Sequence, residues 1–509
     1  MEVSYLKLKE LVEQLRIVSV QGELDVDITG ITMNSREVKQ GDLFVCIAGI
    51  PGLQEDRHQY IDHALEAGAV ALIVERDIVA QVPTIKVPNA RFALAMLSTH
   101  FFGYPSHDLK LIGVTGTNGK TTTSHMIEAI LAHANYRTGL MGNIGTKIGN
   151  TIVKSNINTQ EPHKLQANLA KMKNCSTDYC VMEVTSQGLD MGRVVGCDFR
   201  TAVFTNLTND HLDYHGTMDK YLMAKGSLFS RMGNSFSYEH SKHKFAILNA
   251  DDPASEVFHG LTTAQVITYG INKQADVMAE DIQLTIKGTA FRLVSFAGTV
   301  TIECSMVGAF NVYNALAAIA TALAEQIPLH LIQQALSEFR NTSGRMEIME
   351  ASQDFIVIVD YAHTPDAFNK ALSMLRELNQ QRVITVYSCE DDHDEGTTFS
   401  RIRDIAAKHS DVVILSAEHL SKEATNSMTQ AIANGQGIYA TSNNTTFELM
   451  PDGLLAITRA IELARAGDIV FIAGHDHKIE VEHILKEYQN RHRKEVGDVV
   501  RAGDIPIRA

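Results

Sequence analysis

The stretch GVTGTNGKT, residues 113–121, sets Gly113, Gly119, Lys120 and Thr121 in the spacing G-x-x-x-x-G-K-[ST], with Gly116 as an extra glycine inside the turn. Glycines let the backbone curl until several N–H groups face an anion, and a helix starting at the turn adds its positive end. Gly116, Thr117, Asn118, Gly119 and Thr122 are then the residues expected around the phosphates of ATP. Lys120 offsets charge on the β- and γ-phosphates, and the Thr121 hydroxyl is a ligand for Mg²⁺. The plain alternative is a glycine turn with a surface lysine; an apolar strand before it and a helix after it favour the phosphate site. Glu183 closes the apolar run DYCVMEV (178–184), where a carboxylate emerging beside a phosphate loop is either a metal ligand or a solvated rim residue. A second stretch, YSCEDDHDEGTTFS (387–400), gathers five carboxylates and one histidine without a Lys or Arg, an odd content beside an anion site.

These residues need a scaffold, and the hydrophobic pattern supplies one. Residues 1–107 read as an α/β body, opening with the amphipathic helix pattern MEVSYLKLKELVEQL and containing a strand at DLFVCIA (42–48). A second α/β body, 108–340, starts at the phosphate motif and contains strands 178–184 and 201–207, with antiparallel strands within 278–305. A third, 341–509, repeats apolar strands at 355–360, 382–387, 411–416 and 468–474, separated by helical patterns, which predicts a parallel Rossmann-like sheet.

Composition bounds the function. The chain has 509 residues, too many for one core, and its 45 % hydrophobic and 21 % charged content is that of a soluble globular protein. A net charge of −15 argues against a nucleic-acid footprint. Cys46, Cys175, Cys180, Cys197, Cys304 and Cys389 form no C-x-x-C pair, which fits a reduced cytoplasmic setting. Without a signal-peptide run or a bilayer-length apolar stretch, membrane insertion is not expected, and the working unit is expected to be a monomer.

Several further blocks, in order, carry a resemblance: EVTSQGL (183–189), TNLTNDHLDYHGTMDKYLMAKGSLF (205–229), LNADDP (248–253), GAFNVYNALAA (308–318), SGRMEIM (343–349) and VDYAHTPDA (359–367). With the phosphate motif they resemble the Mur ligases over nearly the whole chain, and the tripeptide synthetases among them most. The resemblance implies an α/β fold of three domains: a UDP-binding N-terminal domain, a central P-loop ATPase domain and a C-terminal Rossmann-like domain. It implies an ADP-forming amide ligase for peptidoglycan precursors, using ATP and two Mg²⁺ ions, with a UDP-linked muramoyl-peptide and an amine or amino acid as partners. Lys120, Glu183, His211 and Lys225 match its catalytic positions. Thr121 and Glu183 match the ligands of one metal ion, and His211 and Lys225, a lysine carbamylated by CO₂ in this family, those of the other. Asn311, Asn314, Arg345, Asp360 and His363 match nucleotide positions, while Ser35, Arg36, Asn158, Thr159, Ser186 and Arg193 match precursor contacts.

The acceptor side departs from the family. A Gly-Cys-Gly-Gly-Asp-Arg-Asp stretch reads here SCEDDHD, with His393 for the arginine, and the following Lys-Arg is Thr397–Thr398. Asp-Asn-Pro-Arg is replaced by Glu418, His419, Leu420 and Ser421, and Gly-Lys-Gly-His-Glu by GHDHK, Gly474 to Lys478. An arginine fork holds an amino acid's carboxylate and a glutamate its distal ammonium, so these changes predict an acceptor other than diaminopimelate or lysine. A decayed acceptor site in a precursor-binding or regulatory paralogue, and a new His/Asp metal site, are the competing expectations. On the precursor side NTQEP (158–162) places Gln160 where the family has a second threonine, and a folylpolyglutamate- or cyanophycin-type ligase is a further alternative sharing the central domain.

Overall fold

The computed structural model describes residues 5–50, 54–155, 157–233, 237–239, 242–340, 344–349, 353–378, 381–388, 397–416, 445–474 and 478–489, with backbone alone at 388 and 397–400. Three sheet-centred bodies follow one another along the chain, each an apolar sheet flanked by helices.

In the first body the strands Gly30–Thr32, Asp42–Val45, Ala71–Val74 and Thr84–Lys86 run parallel, and Ser19–Gln21 pairs antiparallel at the edge. The N-terminal amphipathic pattern yields only a short helix, Leu8–Val12, because Leu6–Lys7 instead pairs as a strand with Asp27–Ile28. Leu8, Leu11 and Val12 still carry the expected apolar face into the core.

The central body is built on an eleven-stranded sheet. Thr138–Gly142, Tyr179–Glu183, Lys110–Thr115, Phe199–Phe204, Phe245–Asn249, Gln265–Gly270 and Val277–Thr285 lie side by side in parallel. Antiparallel hairpins extend both edges, including Gly288–Ser295 and Gly298–Cys304 within the predicted antiparallel region. Lys110–Thr115 is central and buried on both faces, so its run KLIGVT is nearly all apolar. The alanine-rich helix Ala309–Ala324 packs against the helix Lys120–His133; its small side chains permit that close approach and bring Asn311 and Asn314 to the phosphate loop.

The third body carries Ile356–Asp360, Ile469–Ala473, Val383–Ser388, Val412–Ser416 and Thr446–Met450 in parallel order, edged by the antiparallel strand Glu347–Met349. The parallel order means that all these strands end on one edge, where loops can line a cleft. That edge meets the central body through Arg345 and Asp366, whereas Lys164 reaches Glu37 of the first body at 2.7 Å. Among the described residues no helix is long and apolar enough to cross a membrane.

Candidate active site

The strand Lys110–Thr115 runs into a tight turn and then the helix Lys120–His133. Gly116 (φ +149°) and Gly119 (φ +86°) occupy backbone regions that favour glycine, and a Cβ at either would collide with Thr205 Oγ1 or Asn314 Oδ1 respectively. The turn is tied to residues 205–208: Thr117 N–H donates to Asn206 O (2.8 Å), and Asn118 N–H to Asn206 Oδ1 (3.0 Å). Thr205 Oγ1 donates to Asn118 O at 2.6 Å.

Two lysines converge on this turn. Lys120 Nζ donates to Gly116 O (2.9 Å) and Thr117 O (2.8 Å), and Lys225 Nζ donates to the same Gly116 O at 2.8 Å. Among the described residues neither is in an ion pair with a carboxylate. Lys225 is 1 % exposed and lies 4.4 Å from the centroid of the Tyr221 ring. Burial, then the neighbouring Lys120 charge, push its pKa well below the ordinary lysine range. Burial likewise lowers Lys120, opposed by Glu183 and Asp210.

Glu183 ends its strand fully buried, accepting from Thr121 Oγ1 (3.0 Å) on one oxygen and from Asn143 N–H (2.9 Å) on the other. Gly142 makes room for it, since a Cβ there would strike the carboxylate. His211 follows in the left-handed region (φ +52°), its Nε2 3.4 Å from Asp210 Oδ2. Burial lowers the His211 pKa, opposed by Asp210, with Lys120 and Lys225 pushing the same way as burial. Among the described residues no group of three or more His, Cys, Asp or Glu side chains is placed to hold a metal ion. The adjacent oxygens of Thr121 and Glu183 could hold Mg²⁺, which takes one or two protein oxygens and completes its shell with phosphate and water.

A cavity of about 530 Å³ opens beside the turn, between the central and third bodies. Asn118, Gly119, Thr122, Asn311, Asn314, Arg345, Asp360 and His363 all line it. Asn314 Nδ2 donates to Asn311 Oδ1 (3.0 Å), and Arg345 lies 5.0 Å from the Tyr361 ring with Nη2 3.4 Å from Thr121 Oγ1. Asp360 accepts from Met346 N–H at 2.7 Å; burial raises its pKa, with Arg345 opposing. His363 is exposed at the rim. Asp251, Tyr313 and Phe310 also line the cavity but were not singled out from sequence, although LNADDP and GAFNVYNALAA contain them.

Comparison with known proteins decides the family. Three consecutive models match: Mur ligase family, catalytic domain (27–102), Mur ligase middle domain (114–322), and Mur ligase, glutamate ligase domain (344–475). A UDP-N-acetylmuramoyl-L-alanyl-D-glutamate–2,6-diaminopimelate ligase of Bacillus licheniformis is 44 % identical over 475 residues, 93 % of this chain and 95 % of that protein. Its namesake in Geobacillus thermodenitrificans is 42 % identical over 477 residues, again 93 % and 95 % of the two chains. A solved structure bearing the same enzyme name superposes with a TM-score of 0.68 at 26 % identity, covering 96 % of this chain and 100 % of the other. The chain belongs to the Mur ligase family. Like its relatives it is an ATP-dependent, ADP-forming acid–amino-acid ligase.

The remaining expected positions of this Mur ligase divide into three groups. Ser186 and Arg193 are held within the central body: Ser186 Oγ is 3.0 Å from His215 Nε2, while Arg193 pairs with Glu161 (2.9 Å) and donates to Thr159 O (3.0 Å). Ser35 is buried at the start of a short 3₁₀ turn with Arg36 exposed beside it, and Asn158 is half-buried. Thr159 and Gln160 face inward. Thr159 Oγ1 donates to Glu183 O (3.0 Å) and accepts from Thr185 N–H (2.9 Å), so its hydroxyl braces the end of the Glu183 strand. Gln160 bridges Thr146 (2.6 Å) and Asn168 (2.7 Å) from a buried position, which makes it a structural brace rather than a lining residue.

On the acceptor side, His393, Glu418, His419 and Ser421 lie outside the described residues, as do His475 and His477. Gly474 (φ +111°) ends the strand Ile469–Ala473. Lys478 is ion-paired with Glu347 at 2.7 Å, so the expected charge reversal there is compensated from within the third body.

Proposed function

We propose that this Mur ligase activates a carboxylate of UDP-N-acetylmuramoyl-dipeptide, or a close analogue, and joins it to an amine. The carboxylate oxygen attacks the γ-phosphorus of ATP, the bond to the β-phosphate oxygen breaks, and ADP leaves an acyl phosphate. The amine then adds to the acyl carbon, and the tetrahedral intermediate loses inorganic phosphate and a proton to give the amide. Two anions must meet in the first step, so cations have to screen them. The convergence of Lys120 and Lys225 on Gly116 O, beside Glu183 and without an ion-paired carboxylate among the described residues, is the observation that carries this reading.

Thr121 and Glu183 would hold one magnesium ion, and His211 with carbamylated Lys225 the second; bound there, magnesium supplies charge screening of the phosphates. Carbamylation requires a neutral amine: its nitrogen attacks CO₂, one proton leaves, and the amine becomes a carbamate anion. Burial and the Lys120 charge favour that neutral amine, which supports the modification. Ser35, Arg36, Asn158, Ser186 and Arg193 are assigned to the UDP-precursor.

For the acceptor, the loss of the arginine at position 393 and of the Asp-Asn-Pro-Arg stretch supports an amine other than diaminopimelate or lysine. A second reading, diaminopimelate itself, is favoured by the names of relatives at 44 % and 42 % identity. Phosphate release measured with the precursor and a panel of amines, diaminopimelate and lysine included, separates them. Activity with diaminopimelate alone would overturn the first reading, and silence with every amine despite Mg·ATP binding would mark a precursor-binding paralogue.

A further inference from the structure

Asp366 is the second residue of the helix Pro365–Leu378 in the third body. Its Oδ2 accepts from three donors: Asn118 Nδ2 at 3.2 Å, Thr208 Oγ1 at 3.3 Å and Lys370 Nζ at 2.8 Å. The first two belong to the central body, Asn118 in the phosphate turn and Thr208 in the loop that leads to His211. The contact therefore spans the cleft that holds the 530 Å³ cavity.

What lies behind those donors gives the contact its reach. Thr208 N–H donates to Thr117 Oγ1 at 3.0 Å, and Thr117 Oγ1 is 3.1 Å from the hydroxyl of Tyr221, against whose ring Lys225 rests. The backbone of Asn118 is already engaged within its own body, its N–H with Asn206 and its carbonyl with Thr205, so its side chain is the part free to sense another body. Lys370 and the start of the helix compensate the Asp366 charge, which allows a carboxylate to sit at the rim of a phosphate site.

We infer that Asp366 is a positioning residue that latches the third body onto the phosphate turn, coupling closure to the grip on nucleotide. It touches no reacting atom. By linkage, whatever nucleotide gains from closure, closure gains from nucleotide, so removing the latch weakens both together. The inference rests on the nucleotide reading of the cavity given above.

The test is a double-mutant cycle on the full chain with Asp366→Ala, Asn118→Ala and the pair, reading Mg·ADP affinity by calorimetry. Each single variant is expected to lose roughly tenfold in affinity, and the pair no more than the worse single. Small-angle scattering is expected to show Mg·ADP compacting the wild type but not Asp366→Ala. In turnover, kcat falls while the precursor KM holds, a split that general destabilisation does not produce. Asp366→Asn, nearly isosteric, covers the case in which the alanine variant does not fold, and is expected to lose both affinity and compaction. Additive losses, or compaction as in the wild type, would overturn the latch while leaving nucleotide binding intact. Failure of the wild type to bind Mg·ADP would instead overturn the nucleotide reading, and the latch with it.

Discussion

The two ends of the central sheet hold paired basic side chains in opposite ways. Where the strands begin, Lys110 and Arg200 share the buried carboxylate of Glu325, at 3.3 and 2.6 Å, and the Tyr179 hydroxyl donates to it at 2.8 Å. Where they end, Lys120 and Lys225 share only the carbonyl of Gly116. The first cluster is closed on itself and can only stabilise. In the second, Lys120 faces a cleft without a carboxylate of its own while burial holds Lys225 toward the neutral amine, an arrangement that is unfavourable alone and becomes favourable when an anion arrives. Charge that has its counter-ion is scaffold; charge that lacks one marks the site.

Substitutions at the two ends should then separate activity from stability. Lys120→Ala is expected to lower precursor-dependent ADP formation by about a thousandfold or more while the melting temperature stays near that of the wild type. At the other end, Glu325→Ala leaves the partly exposed Lys110 and the largely buried Arg200 without this carboxylate and should cost up to about 3 kcal/mol in chemical denaturation, with kcat of the folded fraction unchanged. Equal effects of both substitutions on both readouts would erase the distinction. Lys225→Ala should lower kcat by about a hundredfold. Removing bicarbonate should slow the wild type but leave Lys225→Ala where it is, and indifference of the wild type to bicarbonate would refute the carbamate.

The smallest effect sharpens the contrast with a third buried group. His163, 6 % exposed on the helix Pro162–Asn174, has no hydrogen-bond partner for either ring nitrogen among the described residues, and burial, with Lys164 adding to it, lowers its pKa to about 4. The unfolded chain, with histidine near its ordinary value of about 6.5, binds the proton first, so stability falls as pH drops through that window. At pH 5 the loss amounts to about 2 kcal/mol relative to neutral pH. His163→Gln should flatten that part of the pH–stability curve, which denaturant titrations at pH 7 and pH 5 would reveal.

Much of this was legible in the sequence, and what was not has a physical reason. The phosphate turn can be read because its glycines, lysine and threonine are consecutive and their roles are local. Lys225 could be picked out within a motif, but its reach to the Gly116 carbonyl, where it meets Lys120, spans 109 positions and needs the fold. Asp366 was passed over inside VDYAHTPDA for the same reason, since its partners belong to another body. Gln160 taken alone hinted at an altered precursor site, and only packing shows that it points inward. The N-terminal helix was overestimated because periodicity cannot see that Leu6–Lys7 has a strand to pair with.

The most direct measurement is ADP formation by the full chain with Mg·ATP and bicarbonate, supplied with UDP-N-acetylmuramoyl-dipeptide and each amine in turn. A site that transfers phosphate to a carboxylate should release ADP over repeated turnovers only when precursor and a suitable amine are both present, and should fall silent in Lys120→Ala. No binding of Mg·ATP at any magnesium or bicarbonate concentration, or ADP release indifferent to the precursor, would contradict it.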